Sequence, residues 1–335
     1  MVTKYIKIIG AMFIISLVLP KLAFGWSIFP RLGEERAGTA SMQFLKLGAG
    51  ARAAAMGNAV VAITTDAYSI YWNPAGLVWS EGHEVALSHN IWVVDLNYEF
   101  AGYSMKLNED RAVGASVVYL GTSDMDVTDE YHPYGTGQKF GYADIAFGLT
   151  FSQRLTDYFS FGASAKYAQE NIENLKMHGV LLDLGTYYQT NFKGTRFAVT
   201  LTNFGQQVKP GGSYDYTTPE GQIIPKSYQS FSPPTTFRVS AAMDIMSNGA
   251  NVWQGTAQLD HPTDNAESFS MGTEYGFNKI LFLRGGYKLN NDTQNYSLGL
   301  GVKMKLLSTD GGFDYAFASV GDLGHSNTFS FIWRF

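Results

Sequence analysis

Past residue 80 the chain alternates. Phe159, Phe161, Ala163, Ala165 and Tyr167 interleave with Ser160, Gly162, Ser164 and Lys166. Phe197, Val199 and Leu201 interleave with Ala198, Thr200 and Thr202, and Tyr296, Leu298, Leu300 and Val302 with Ser297, Gly299, Gly301 and Lys303. Successive side chains of a strand point to opposite faces, so this period of two predicts strands with one apolar and one polar face. Fourteen such segments are expected: 83–91, 97–107, 111–121, 140–153, 157–170, 175–190, 195–204, 234–245, 251–260, 266–277, 279–290, 293–305, 311–319 and 327–335. They exceed the roughly 5–6 residues of a soluble strand and suit a strand that crosses a bilayer at a tilt. Hydrocarbon offers the backbone no hydrogen-bond partner, so a spanning sheet must close on itself.

The expected fold is therefore all-β: a 14-stranded antiparallel transmembrane barrel of the outer-membrane kind over 81–335. Its apolar face meets lipid, and Ser, Thr, Gly and a few charges line the lumen. Connection lengths agree. Those after even strands are mostly short (108–110, 155–156, 191–194, 247–250), and those after odd strands are often long (122–139, 205–233, 320–326). The connection 171–174 is short and fits this rule less well. An even strand number also places both chain ends on the periplasmic side. The last strand ends in Phe329, Phe331, Trp333 and Phe335, which looks like the C-terminal signal that bacterial outer-membrane barrels present to their insertion machinery. Outer-membrane lipid and that machinery are the first expected partners.

The N-terminus carries an export signal. Lys4 and Lys7 precede the apolar run Ile8 to Leu19, Pro20 ends it, and Ala23-Phe24-Gly25 supplies small residues for cleavage. This run is too short to span a bilayer as a helix. Cleavage after residue 25 removes Lys4, Lys7 and Lys21, leaving 21 basic and 29 acidic residues and a net charge of −8. The expected location is the bacterial outer membrane. Charged residues are only 16% and aromatics 15% of the chain, a balance that argues against disorder and against nucleic-acid binding. Absence of cysteine excludes disulfides, thiolate metal sites, cysteine nucleophiles and lipid attachment at the cleavage site.

Motifs for chemistry are sparse. Gly48-Ala49-Gly50-Ala51-Arg52-Ala53 matches a dinucleotide fingerprint but lacks the preceding strand and the βαβ unit that give it meaning. The six histidines lie on different segments; His83 and His89 share a strand face but stand roughly 20 Å apart at ~3.3 Å per residue, too far for one metal. No residue is assigned a catalytic, cofactor-binding or metal-binding role, no cofactor is expected, and the chain is not expected to be an enzyme. Asp124, Asp126, Asp129 and Glu130 form an acidic run that reads as a solvated loop, with calcium binding as the alternative. The 205–233 connection carries four prolines with Pro234 just beyond, and Tyr214, Tyr216 and Tyr228. It reads either as a partner-binding surface, since aromatic residues supply contact energy, or as a cap over the barrel mouth.

Residues 26–80 form a separate hatch or plug. Glycines and alanines over 48–67 permit close backbone packing in a narrow lumen. Pro74 biases Asn73 to an extended shape, and the Asn73 side chain suits a turn. Residues 44–77 resemble the N-terminal segment of the PorV/PorQ family of outer-membrane barrels associated with the type IX secretion system. Ala51, Arg52, Met56, Gly57, the Thr65-Asp66-Ala67 step, and Tyr71 with Trp72, Asn73, Pro74, Ala75 and Gly76 carry the resemblance. That family is similar to the FadL-type fatty-acid channels, fourteen-stranded barrels with a hatch bearing Asn-Pro-Ala. The resemblance implies a barrel that binds secreted cargo proteins or secretion-complex subunits and hands cargo from the translocon to cell-surface attachment. The alternative it implies is a FadL-type channel for uptake of hydrophobic small molecules, such as long-chain fatty acids, held in the lumen.

Overall fold

The structure, a computed structural model, describes residues 34–173, 175–291, 294–306 and 309–335. The expected export signal, 1–25, and the first expected hatch residues, 26–33, lie outside the described residues. Fourteen strands form the wall: β1 (His83–Ile91), β2 (Asn97–Asn108), β3 (Arg111–Gly121), β4 (Tyr142–Arg154), β5 (Phe159–Ile172), β6 (Leu175–Gln189), β7 (Arg196–Gly205), β8 (Thr236–Ser247), β9 (Val252–Pro262), β10 (Ser268–Phe277), β11 (Leu281–Leu289), β12 (Tyr296–Leu306), β13 (Thr309–Ser319) and β14 (His325–Arg334). No strand boundary departs from the expected one by more than three residues.

Each strand pairs antiparallel with the next, and β14 returns to β1 to close the barrel. Glu84 lies opposite Arg334 and Ile91 opposite Asn327. Beyond this register His83 and Phe335 exchange backbone hydrogen bonds of 3.2 and 3.0 Å. Closure leaves no open edge in the wall, as a hydrocarbon environment requires. No helix among the described residues is long and apolar enough to cross a membrane; the strands do so.

The alternation resolves as expected. Phe161, Leu182, Phe197, Leu283 and Leu298 point outward and are exposed, while Ser160, Ser164, Asp183, Thr200 and Ser297 point inward and are buried. What buries the inward set is the N-terminal segment. It forms α1 (Ala51–Ala55) and α2 (Ser69–Trp72), with 3-10 turns at Gln43–Lys46 and Pro74–Trp79. The main apolar core lies inside the lumen, where Met42, Phe44, Met56, Val60, Val61 and Trp72 are buried together.

The described chain does not begin on the side where it ends. Phe335 sits at the short-turn end, beside His83. The described chain begins at the opposite end: Ala40 bridges to Ser232 in the long 206–235 connection, and the Met42 amide donates to Glu170 near the top of β5 at 2.9 Å. The hatch then descends the whole lumen before Ser80 delivers the chain to β1. Counting strands orients only the barrel; it is blind to a plug that threads the lumen lengthwise.

Candidate functional site

Two regions outside the wall carry the candidate residues: the hatch and the outer connections. In the hatch, α1 lies against β11–β14. Ala51–Ala55 is short and its N-cap Gly50 has φ of 91°, the region that favours glycine. A Cβ at Gly50 would also stand 2.9 Å from the Tyr68 ring. The Ala51 amide donates to Ser330 at 3.1 Å, and the Gly57 amide to Ser297 at 3.1 Å. The wall answers with glycine at its inward positions. A Cβ on Gly299 would meet the Ala55 side chain at 2.4 Å, one on Gly286 the Gly57 nitrogen at 2.2 Å, and one on Gly272 the Met56 carbonyl at 2.8 Å. Met56 itself is fully buried.

Arg52 fixes the charge pattern of the lumen. Its Nε and Nη2 each donate to the Glu274 carboxylate at 2.9 Å. Glu274 also accepts from Arg284 Nε and Gln254 Nε2, both at 2.5 Å, and Arg284 Nη1 donates to Asp314 at 2.6 Å. Hatch, β9, β10, β11 and β13 are thus tied by one ionic network. A buried carboxylate between two guanidinium groups is fully paired, so its desolvation is offset; removing one partner leaves a buried charge exposed to that cost.

The second half of the hatch presses on β3–β6. Asn73 is extended, with φ of −156°, and accepts from the Ala75 amide at 3.1 Å, the side-chain turn expected of Asn before Pro. Its amide nitrogen donates to the carbonyls of Val61 and of Thr186 on β6, each at 3.1 Å. Pro74 opens the following 3-10 turn, where its missing N–H costs nothing. The Ala75 carbonyl accepts from Ser160 at 2.7 Å. Wall glycines again mark the contact, since a Cβ on Gly162 would meet Pro74 backbone at 2.3 Å and one on Gly185 the Asn73 Oδ1 at 2.2 Å. Gly76 permits the hatch to fold on itself: a Cβ there would stand 2.2 Å from the Thr64 carbonyl. Trp72 donates from Nε1 to the Ala49 carbonyl at 2.8 Å and lies under the Arg238 guanidinium at 5.8 Å. The sequence motif therefore collects at two wall contacts, with Arg52, Met56 and Gly57 at one and Asn73 to Ala75 at the other. The dinucleotide-like run is part of this plug; Gly48 and Gly50 pack against Trp72 and Tyr68.

At the long-loop end, the 206–235 connection divides in two. Its base is a lid: Val208 and Phe231 exchange hydrogen bonds of 2.9 and 2.7 Å, the Ser41 amide donates to the Ser232 carbonyl at 3.1 Å, and Val208, Pro233 and Pro234 are buried. Its tip is a two-stranded ribbon, Ser213–Thr217 with Ile223–Ser227, in which every residue is exposed. Tyr214 packs against Tyr228 with ring centroids 5.3 Å apart and the rings tilted, and the Lys226 ammonium lies 4.6 Å from the Tyr216 ring centre. The cap and the exposed aromatic surface are thus both present, in different parts of one connection.

The acidic connection between β3 and β4 holds a local turn. Asp129 accepts from the amides of Tyr131 and His132 at 2.8 and 2.7 Å and contacts His132 Nδ1 at 2.9 Å. The His132 side chain, with these amides, holds the Asp129 carboxyl below the usual carboxylate range. Among the described residues no group of three or more His, Asp or Glu converges to hold a metal. Phe331, Trp333 and Phe335 stand exposed on the outward side of β14 and beyond, with Trp333 and Phe335 in contact at 5.0 Å and Phe329 against Tyr315 at 5.2 Å.

Recesses remain at both ends of the lumen. The one at the short-turn end, about 720 Å³, is lined by Glu84, Lys303, Lys305, Asp310 and Arg334 among others. The one at the long-loop end, about 270 Å³, is lined by Lys46, Arg238, Asp260 and Lys288 among others. A third, about 400 Å³, lies in the wall around β1, where Leu87, Ala101, Phe329 and Phe331 make it apolar.

Sequence reasoning missed Glu274, Arg284, Asp314 and the docking glycines. Their signal was present: each occupies the polar phase of an otherwise apolar alternating strand. A charge or a glycine at such a position points to something that fills the lumen there.

The chain matches the family model described as type IX secretion system protein PorV over residues 31–260. Among curated proteins none matches the sequence. Similar solved structures include the monoaromatic hydrocarbon channel CymD, with a TM-score of 0.59 at 14% identity over 86% of this chain and 98% of that one. The toluene transporter TodX of Pseudomonas putida has a TM-score of 0.55 at 15% identity over 85% and 97%, and TbuX of Ralstonia pickettii 0.55 at 16% over 86% and 98%. At these identities the likeness is one of fold.

Proposed function

This chain belongs to the PorV family and resides in the bacterial outer membrane, and on that premise we propose that it holds secreted cargo proteins at its outer connections and passes them from a type IX translocon to cell-surface attachment. The observation that carries this reading is the divided 206–235 connection. Its base and the hatch close the mouth, while the tip raises Tyr214, Tyr216, Ile223 and Ile224 into solvent. Exposed aromatic side chains of this kind supply most of the energy of protein interfaces. In this reading residues 1–25 are the export signal, 26–80 the hatch and 81–335 the barrel. The Ala51–Gly57 and Trp72–Gly76 motifs keep the lumen plugged while cargo stays outside, and Phe329, Phe331, Trp333 and Phe335 address the barrel to its insertion machinery.

The second reading, uptake of a hydrophobic small molecule, draws on the fold shared with hydrocarbon and toluene channels and on the apolar recess around β1. Against it stand the charged linings of the two lumen recesses, because an apolar solute crossing them gains nothing that offsets stripping those charges of water. Gene deletion tests both. The cargo reading expects secreted proteins to disappear from the cell surface; surface proteins all in place, with slower uptake of labelled long-chain fatty acid, would replace it with the channel reading.

A further inference from the structure

We propose that the outer ribbon binds its secreted partner by strand addition, and that one edge only, Ser213–Thr217, is built to accept the incoming strand. The inference rests on the cargo-binding reading and adds the chemistry of recognition.

It begins with the hairpin's turn. The Thr218 amide donates to the Gln222 carbonyl at 2.8 Å, the Gly221 amide donates to the Thr218 carbonyl at 2.9 Å, and Gly221 has φ of 83°. This is a tight turn closed by a glycine bulge, and it sets the phase of the ribbon. Antiparallel pairs alternate between hydrogen-bonded and non-hydrogen-bonded. With Thr218 bonded to Gln222, the bonded pairs are Tyr216 with Ile224 and Tyr214 with Lys226. The non-bonded pairs are Thr217 with Ile223, Asp215 with Pro225, and Ser213 with Ser227. Residues of non-bonded pairs direct their N–H and C=O groups away from the ribbon.

The two edges therefore differ. On Ile223–Ser227 the central outward position is Pro225, which has no N–H and whose ring occupies the place of an incoming strand. Proline on an edge is a device that prevents pairing. On Ser213–Thr217 the outward groups of Ser213, Asp215 and Thr217 are complete, and among the described residues no other strand pairs with this edge. A partner strand laid along it would extend the ribbon to three strands, the size at which a small sheet becomes stable. It would also continue the face formed by Tyr214, Tyr216, Ile224 and Lys226. Main-chain bonds then supply affinity that is tolerant of sequence, and the tyrosine face selects apolar residues at alternate positions. The occupant is an extended segment of the secreted cargo protein.

The test places proline on each edge in turn, at positions whose N–H the ribbon itself does not use. In the full-length barrel in detergent, Asp215→Pro is expected to weaken binding of a purified C-terminal domain from a protein secreted by the same cell by about tenfold or more. Ser227→Pro, on the edge already blocked, is expected to bind as the parent does. Hydrogen exchange with the same domain is expected to slow at the amides of Ser213, Asp215 and Thr217 and to stay unchanged at Ile223 and Ser227. Equal binding by both proline variants, or equal loss, overturns edge addition, as does exchange that slows on neither edge. Removal of 211–229 separates the two levels: loss of binding there together with parent-like binding by Asp215→Pro sinks the edge and keeps the cargo reading. Binding that survives removal sinks the loop as the docking element.

Discussion

The hatch and the 206–235 connection are similar in kind. Both are irregular segments outside the wall, with glycine, proline and aromatic side chains, and neither has the alternation of a strand that faces lipid. Their fates are opposite. Trp72 and Met56 are buried at 2% and 0% exposure, whereas Tyr214 and Tyr216 are each 38% exposed. The difference lies in the wall. Inward glycines and the carboxylate of Glu274 receive the hatch backbone and Arg52, while only Val208, Pro233, Pro234 and their neighbours find such a seat in the outer connection. Burial of an irregular segment needs a complementary surface that satisfies its backbone, and the barrel supplies one inside the lumen and only a narrow one at the mouth.

The contrast predicts that hatch substitutions act on stability and tip substitutions on recognition. The largest effect is expected at the ionic network. Arg52→Ala leaves Glu274 with one guanidinium fewer and should destabilise the fold by about 3–5 kcal/mol, read as a lower thermal unfolding temperature of the barrel in detergent. Adding Glu274→Gln to Arg52→Ala should restore part of the loss, since the stranded charge is removed; a double variant worse than the single would contradict the network.

Next come the docking glycines. Gly286→Ala places a Cβ against the Gly57 backbone and should cost about 1–3 kcal/mol by overpacking, with faster proteolysis inside the hatch as its signature. Asn73→Ala removes a turn acceptor and two donated bonds and belongs in the range of about 1–3 kcal/mol. In the tip, Tyr216→Ala should change stability by no more than about 0.5 kcal/mol, yet weaken partner capture by a hot-spot increment above about 1 kcal/mol. A hatch-sized loss of stability from Tyr216→Ala would erase the contrast.

The smallest effect concerns the turn at Asp129. Its carboxyl titrates below the ordinary value, so the turn's added stability is complete above the ordinary carboxylate value and fades as pH falls through the depressed one. The group is exposed, so the change should be visible by NMR titration of the connection and absent from global unfolding.

Much of this was legible in the chain. The alternation of Phe161, Ala163 and Ala165 with Gly162 and Ser164 specifies a strand and both of its faces without reference to any neighbour, because side-chain direction in a strand is a local property. The Asn73-Pro74 turn is equally local, and both its extended Asn73 and its Ala75 contact follow from two residues. The charge network was only half legible. Arg52 and Glu274 are separated by 222 positions, and nothing in the hatch helix or in the strand's pattern names the other.

What the sequence by itself determined was the wall: strand number, strand limits, which side chains meet lipid, and that the sheet closes, all consequences of period two and of unsatisfied backbone in hydrocarbon. Only the tertiary structure decided how the hatch runs, from the long-loop end to the short-turn end, and hence that the described chain starts opposite to Phe335. It also decided which part of the 206–235 connection seals the mouth and which stands free. These are questions of fit between distant segments, settled by where a Cβ is missing and where a charge waits, and no local pattern encodes them.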